Sequence, residues 1–379
     1  MEWILMSIEC TMISEEDEEK IIELACDPNI YEKIIKSIAP TIRGYRNIKE
    51  VIALQLFGGS HKILKDGTKL SSELKILIVG DNGIGKSTIM EYTTQLVDQV
   101  SYSLNTRDND ELICIPNTDY LTEQELGYLL NQDNRILAIT TPHNGYFDRY
   151  KILSEQIMIP SSVKSHFDLI LLIEDKPSKI GDSKVAEHIL ELHKTSSIHY
   201  ELEPELLKKY IAYARKYTNP ILTDEANEVL KEFYVNIRNA ESEGYSPITA
   251  RHLESIIRLA EASAKIKLKD SVDREDAEKA VRITMSCLKE LGVNPEIGEI
   301  TPEEIDKDII LSNRNKIQKL LEEIQLLEDD YGLYVPLSIV YSNLEDKYSI
   351  LEKESEQMTQ NLVQKGICYI PNKGYVSRA

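Results

Sequence analysis

Gly80-Asp81-Asn82-Gly83-Ile84-Gly85-Lys86-Ser87 is a complete G-x-x-x-x-G-K-[ST] pattern, set between an apolar run, Lys75 to Val79, and a helix-like stretch, Ser87 to Val97. Such a stretch reads as strand, phosphate loop and helix. Glycines let the backbone curl around phosphates with its N–H groups inward. The helix N-terminus adds positive dipole, Lys86 adds a full charge, and the Ser87 hydroxyl is placed to ligate Mg²⁺. Asp81, Asn82, Gly83, Ile84, Gly85, Lys86, Ser87 and Thr88 are therefore the expected nucleotide-binding residues, with ATP or ADP and Mg²⁺ as ligands.

Outward from the loop, strands and helices alternate. Lys75 to Val79, Leu112 to Ile115, Arg135 to Thr140 and Leu169 to Ile173 are apolar runs of strand length, which predicts a mainly parallel α/β sheet with helices on both faces. Upstream, Ser14-Glu15-Glu16-Asp17 is an N-cap and acidic first turn leading into a helix from about Glu18 to Ala25. Ile48 to Leu56 reads as another helix, broken by Gly58-Gly59. After Pro177 only helical patterns remain: about Ser183 to His193, Pro204 to Tyr217, Thr223 to Ala240, Thr249 to Lys265 and Arg274 to Leu288. Tyr210, Ile211, Tyr213 and Tyr217 recur at near-helical spacing and read as core. Beyond a linker, Ser312 to Ala379 holds three helical stretches and a hairpin, Gly366 to Ile370 and Tyr375-Val376 around Pro371-Asn372-Lys373-Gly374, which suggests a winged helix.

Composition narrows the function class. At 379 residues the chain has room for two or three domains. A formal charge of −20 argues against a generally basic nucleic-acid-coating surface, so any DNA contact is expected to be local and weak. Five scattered cysteines with no C-x-x-C pair suit a reducing cytoplasm and offer no zinc site. No apolar run approaches the roughly 20 residues a bilayer span needs, and Met1 to Cys10 lacks the features of a signal peptide.

Three strings then carry a specific likeness: Ser37-Ile38-Ala39-Pro40-Thr41-Ile42-Arg43-Gly44-Tyr45, Ala53-Leu54-Gln55-Leu56-Phe57-Gly58-Gly59, and Ile248-Thr249-Ala250-Arg251 with Arg258-Leu259-Ala260-Glu261-Ala262. Together with a phosphate-loop core followed by helices, they resemble the minichromosome maintenance (MCM) family of AAA+ replicative DNA helicases, from about Ser14 to the end. The resemblance implies an AAA+ parallel-sheet core, an all-helical lid and a C-terminal winged helix. The expected domains are 1–36 (an amino-terminal remnant and linking helix), 37–181 (core), 182–291 (lid), 292–311 (linker) and 312–379 (winged helix). What precedes Ser14 looks like only the end of the family's amino-terminal domain, so the family's zinc-bearing oligonucleotide-binding domain is expected to be absent.

Position by position, the likeness then becomes one of losses. Family members place Asp-Glu on the second core strand, one carboxylate holding Mg²⁺ through water and the other polarising the attacking water. Here the aligned positions are Pro116 and Asn117, and neither supplies a carboxylate or a general base. Asp119, Glu123 and Glu125 are the substitutes within reach in sequence. Thr141 stands where the family's sensor-1 Asn orients water. Ser165-His166-Phe167-Asp168 resembles the family's Ser-Arg-Phe-Asp, with His166 in place of the arginine finger. An arginine finger is worth about 10³ to 10⁵ in rate in other nucleotide hydrolases. Arg251 does match the family's sensor-2 arginine, which acts on a neighbouring subunit's nucleotide. Thr141 follows Lys86 by only 55 positions, too few for the two long hairpins that active members insert there to grip DNA.

Three functions remain open on the sequence. One is an MCM-type protein that binds nucleotide without efficient hydrolysis or autonomous helicase activity, assembling with itself or with complete MCM subunits. Another is a working ATPase and DNA helicase subunit that uses substitute carboxylates. The last is a non-enzymatic adaptor acting through its winged helix, whose recognition-helix candidate, Ile350 to Lys365, carries Glu352, Glu354 and Glu356 and so favours protein over DNA.

Overall fold

The computed structural model describes residues 11–102, 112–148, 156–195, 197–239, 248–291, 313–331, 334–348, 350, 355–356, 359–360, 362–363, 368–370 and 374–378. The chain divides into two compact units, residues 1–147 with 153–299, and residues 148–152 with 300–379.

The larger unit begins with α1 (Glu15–Ala25), α2 (Ile30–Ser37) and α3 (Arg46–Phe57). Ser14 starts α1 through a reciprocal capping box with Asp17, as its place before an acidic first turn predicts. After a small antiparallel hairpin, β1 (Lys62–Ile63) and β2 (Lys69–Leu70), the core alternates: β3 (Lys75–Gly80), α4 (Lys86–Gln95), β4 (Val100–Ser101), β5 (Leu112–Ile115), α5 (Glu123–Leu130), β6 (Arg135–Thr140), α6 (Ser161–Lys164) and β7 (Leu169–Ile173). Five of these strands form one parallel sheet in the order β4-β5-β6-β3-β7.

The four strands expected from sequence all lie in that sheet, and their near-continuous apolar runs follow from burial on both faces. Along β3, Ile76 and Ile78 enter one hydrophobic core while Leu77 and Val79 enter the other. In the order, β3 sits between β6 and β7. The crevice beyond its C-terminal end is therefore the topological switch point where open α/β sheets bind ligands. The two-residue edge strand β4 and the helix α2 have no counterpart in the sequence reading. Both are short, and α2 is held by tertiary burial of Ile30, Ile34 and Ile35.

Helices take over after β7: α7 (Lys179–Thr195), α8 (Pro204–Tyr217), α9 (Asp224–Asn239), α10 (Ala250–Ile266) and α11 (Arg274–Glu290), with β8 (Ile221–Leu222) and β9 (Ser271–Val272) pairing in parallel between them. Helix α7 starts upstream of the expected Ser183. Ser178 Oγ accepts from the Gly181 N–H at 3.3 Å, and Asp182 reaches back to the Ser178 N–H at 3.0 Å. Along α8, Tyr210 and Ile211 are core, as expected, and Tyr210 donates to the Ile266 carbonyl at 2.8 Å. Tyr217 is not core. It is 59% exposed and lies against Tyr213 at the helix end, where the apolar face has run out of partners.

In the smaller unit, α12 (Asn313–Tyr331) and α13 (Leu337–Tyr348) accompany a three-stranded antiparallel sheet of β10 (Val335–Pro336), β11 (Cys368–Tyr369) and β12 (Tyr375–Arg378), ordered β10-β12-β11. The two arms of the expected hairpin are β11 and β12. Its turn residues 371–373 and most of the recognition-helix candidate, including Glu352, Glu354 and Lys365, fall outside the described residues. Buried Glu323 of α12 accepts from Asn343 and Lys347 of α13 at 2.6 and 2.7 Å, tying these two helices together.

Candidate functional site

The loop Gly80 to Ser87 leaves the end of β3 and enters α4 at the switch point. At Gly80 an added Cβ would lie 2.9 Å from the Ile173 Cβ and carbonyl oxygen of β7, so the close strand spacing there needs glycine. Gly83 and Gly85 have φ of +80° and +87°, the left-handed region that glycine enters without strain. Gly85 caps α4, whose first turn receives no side-chain cap, which leaves its amides for an anion. The Lys86 ammonium donates to the Gly80 and Asp81 carbonyls at 2.6 and 2.5 Å, at the centre of the curl. Burial pulls Lys86 below the ordinary lysine range, and neighbouring Asp81 opposes that shift. Ser87 and Thr88 are exposed on the first turn. These residues fit a nucleotide's phosphates, and the Ser87 hydroxyl fits as one ligand of their Mg²⁺.

A second stretch braces this cradle. Ile42 presses on Gly85, where an added Cβ would approach its Cδ1 to 2.8 Å. The turn from Ala39 to Ile42, with Ala39 at φ +44°, is held by buried Lys49, which donates to the Ala39 and Ile42 carbonyls at 3.1 and 2.7 Å. Burial lowers the Lys49 ammonium to about 8. His188 of α7 places its Nε2 3.1 Å from the Pro40 carbonyl.

Around the expected hydrolytic positions the geometry is different. Pro116 and Asn117 follow β5 directly, and the Asn117 side chain accepts from the Asp119 N–H at 3.1 Å, capping a 3₁₀ turn from Thr118 to Tyr120. Of the substitute carboxylates, Glu125 is engaged in a capping box with Thr122, and Glu123 accepts from Ser162 at 2.8 Å. Asp119 lies beside the end of β6, its Oδ1 3.4 Å from Thr140 Oγ1. Thr140 is the lateral neighbour of Val79, one residue short of the phosphate loop, and Thr141 follows it. The connection from α5 to β6 is Asn131 to Asn134, a tight turn with no room for a hairpin.

His166 and Arg251 come together at the start of α10. Arg251 is exposed and donates to the Ser165 carbonyl at 3.4 Å. Burial, then Arg251 and Lys75, hold the His166 imidazole below its ordinary value, so it stays neutral near pH 7. Arg251 is the exposed cation beside His166.

Comparison with known families fits this arrangement. A model of the MCM P-loop domain matches residues 17–126 and 122–193, and one of the MCM AAA-lid domain matches residues 205–288. The chain belongs to the MCM family. It is 34% identical over 366 residues to the minichromosome maintenance protein MCM of Saccharolobus solfataricus, covering 83% of this chain and 53% of that protein. It is 31% identical to an uncharacterized MCM-type protein of Methanocaldococcus jannaschii, covering 96% of this chain and 58% of that protein. With DNA replication licensing factor mcm4 of Xenopus tropicalis it shares 29%, covering 85% of this chain and 43% of that protein. The chain thus spans about half the length of the curated relatives it matches.

Two of the strings that resemble MCM proteins meet in a clasp between core and lid, which the phosphate-site motifs do not reveal. Asp168, the Asp of Ser-His-Phe-Asp, accepts from the Lys75 N–H at 2.7 Å, from Arg258 Nη2 at 2.6 Å and from Ser255. One helical turn on, Glu261 accepts from the Ser60 N–H at 2.8 Å and from Lys62, while Lys265 donates to the Gly59 carbonyl at 2.6 Å. At Gly59 a Cβ would lie 2.8 Å from Glu261 Oε2 and 3.0 Å from Arg258 Cγ. The MCM strings around Gly58-Gly59 and Arg258 to Ala262 are thus two faces of one contact. Their co-occurrence in the sequence was the available signal.

Proposed function

We propose that this MCM-family chain binds ATP or ADP with Mg²⁺ at its phosphate loop, lacks efficient hydrolysis and helicase activity of its own, and joins complete MCM subunits. One observation carries the reading: a fully curled phosphate loop in the same sheet as a strand end that offers Pro116 and Asn117 at the positions where the family resemblance expects a carboxylate pair, with the Asn117 oxygen accepting a backbone cap. Thr141 and neutral His166 remove further groups that stabilise a hydrolytic transition state. The position of Arg251 supports a role on a neighbouring subunit's nucleotide. The C-terminal unit, read as a winged helix, serves protein contact in preference to DNA.

The deciding experiment is a titration of nucleotide into wild type and Lys86→Ala, with steady-state hydrolysis followed with and without single-stranded DNA. Tight binding lost in Lys86→Ala, without turnover, is the expected result. Equal weak affinity for both proteins would sink the reading and favour an adaptor that works only through its surfaces.

A second reading, a working ATPase, is favoured by the place of Asp119 beside Thr140 at the phosphate-loop edge of the sheet. Turnover by wild type that vanishes in both Lys86→Ala and Asp119→Asn would establish it.

A further inference from the structure

Asp81 sits inside the phosphate loop yet is only 7% exposed. A carboxylate where anionic phosphates are to bind is unfavourable unless its charge is met by donors. Here the donors are two backbone amides from different parts of the core. Asp81 Oδ1 accepts from the Phe147 N–H at 2.6 Å, and Oδ2 accepts from the Asp175 N–H at 2.7 Å. The loop backbone repeats both links, Asn82 N–H to the Gly145 carbonyl at 2.9 Å and Asp81 N–H to the Ile173 carbonyl at 3.2 Å. Gly145, at φ +81°, is held so close that a Cβ there would lie 2.6 Å from Asn82 Nδ2.

The two gripped segments are not equivalent. One leaves β6 through Thr141, the sensor position. The other leaves β7 and runs into α7, the helix whose His188 meets Pro40.

We propose that Asp81 is a positioning residue that couples the phosphate loop to the connections leaving β6 and β7, so that occupancy of the loop is passed to the sensor position and to α7. This rests on the nucleotide-binding reading above. The Asp81 side chain is turned to the two amides; it works by accepting one N–H on each of its two oxygens, which a carboxylate can do and a carboxamide cannot, because the amide nitrogen is not an acceptor.

Hydrogen exchange on the whole chain, alone and with Mg–ADP, tests this in wild type, Asp81→Asn and Asp175→Pro, the last removing one donor while leaving the loop sequence intact. Without nucleotide, at least one of the Phe147 and Asp175 amides should exchange about tenfold faster in Asp81→Asn. With Mg–ADP, wild type should gain protection at Gly83 to Thr88, at Thr141 to Phe147 and at Glu174 to Gly181. Asp81→Asn should keep the first and lose one or both of the others, with affinity lowered about tenfold. Asp175→Pro should lose the Glu174 to Gly181 response alone. Wild-type protection of all three segments in Asp81→Asn and Asp175→Pro would overturn the coupling. So would wild-type protection confined to the loop, which would leave nucleotide binding standing. Absence of any response in wild type, with Lys86→Ala binding equally, would remove the nucleotide reading itself and the coupling with it.

Discussion

Asp168 shows how much of this molecule depends on single buried charges. It receives a strand amide, a hydroxyl and the Arg258 guanidinium, and is nearly without solvent. Removing one partner of such a pair strands the other in a low-dielectric interior, which costs about 3–5 kcal/mol. Asp168→Ala should therefore lower the unfolding free energy by that order, read from denaturant melts at neutral pH. The paired change Asp168→Leu with Arg258→Met should recover much of the loss, because no charge is then left uncompensated. A single and a double variant of equal stability would show that the ion pair is not the fastening. Glu73, buried against Arg215 and Arg135, follows the same logic: burial raises its carboxyl, but the two guanidiniums outweigh this and hold it below the usual range.

At the scale of elements, the caps of the lid helices make pH a probe of local structure. Helix α10 begins at a capping box in which His252 Nδ1 accepts from the Thr249 N–H at 3.1 Å. Accepting requires a neutral ring. Burial lowers the His252 pKa, Asp168 opposes this, and Arg251 adds to it. A histidine depressed in the folded state binds fewer protons than the unfolded chain just below the ordinary value of 6.5. Its contribution is thus complete above pH 6.5 and is lost as pH falls through the folded value. His252→Ala should flatten the fall in unfolding midpoint between about pH 7 and 5, and an unchanged slope would discount the cap.

Asp273, which caps α11 by accepting from the Asp276 N–H at 3.0 Å, behaves in the acid range. Burial raises it, but Lys269 and the cap amide outweigh this and bring it to about 2. Stability from Asp273 is present above 3.8 and fades as pH falls toward 2. The two caps separate into distinct pH windows.

For the whole molecule, the proposed function turns on what completes the nucleotide site. The corner holding Arg251 and neutral His166 displays the exposed Arg251 guanidinium at the head of a lid helix clamped to the core. Under the proposed function this corner faces a partner's nucleotide. Mixing the chain with a complete MCM should shift its mass on size-exclusion chromatography in the presence of ATP. Arg251→Ala should lower the ATP turnover of the mixture by about 10²-fold or more without preventing assembly. A monomer under all conditions, alone and mixed, would defeat the partner idea. The formal charge of −20 sets one further expectation, that assembly strengthens with added salt as self-repulsion is screened.

How far the sequence reached follows from the range of the forces involved. The phosphate loop, the four main strands and the long lid helices were legible because glycine conformation, apolar runs and caps act over a few neighbouring residues, as at Gly85, Leu112 to Ile115 and Ser14. Short elements such as α2 and β4 were not, since their stability comes from burial against distant parts of the chain. The sequence by itself determined an MCM-type phosphate loop and set the expectation that Pro116, Asn117, Thr141 and His166 stand where the family's hydrolytic groups would be. Only the tertiary structure decided what the remaining residues do. It brought Asp81 to Phe147 and Asp175 and Asp168 to Arg258, because hydrogen bonds and buried charges form wherever the packed chain brings donor and acceptor within 3 Å or so, irrespective of their separation in sequence, and it set Asp119 beside Thr140 at 3.4 Å.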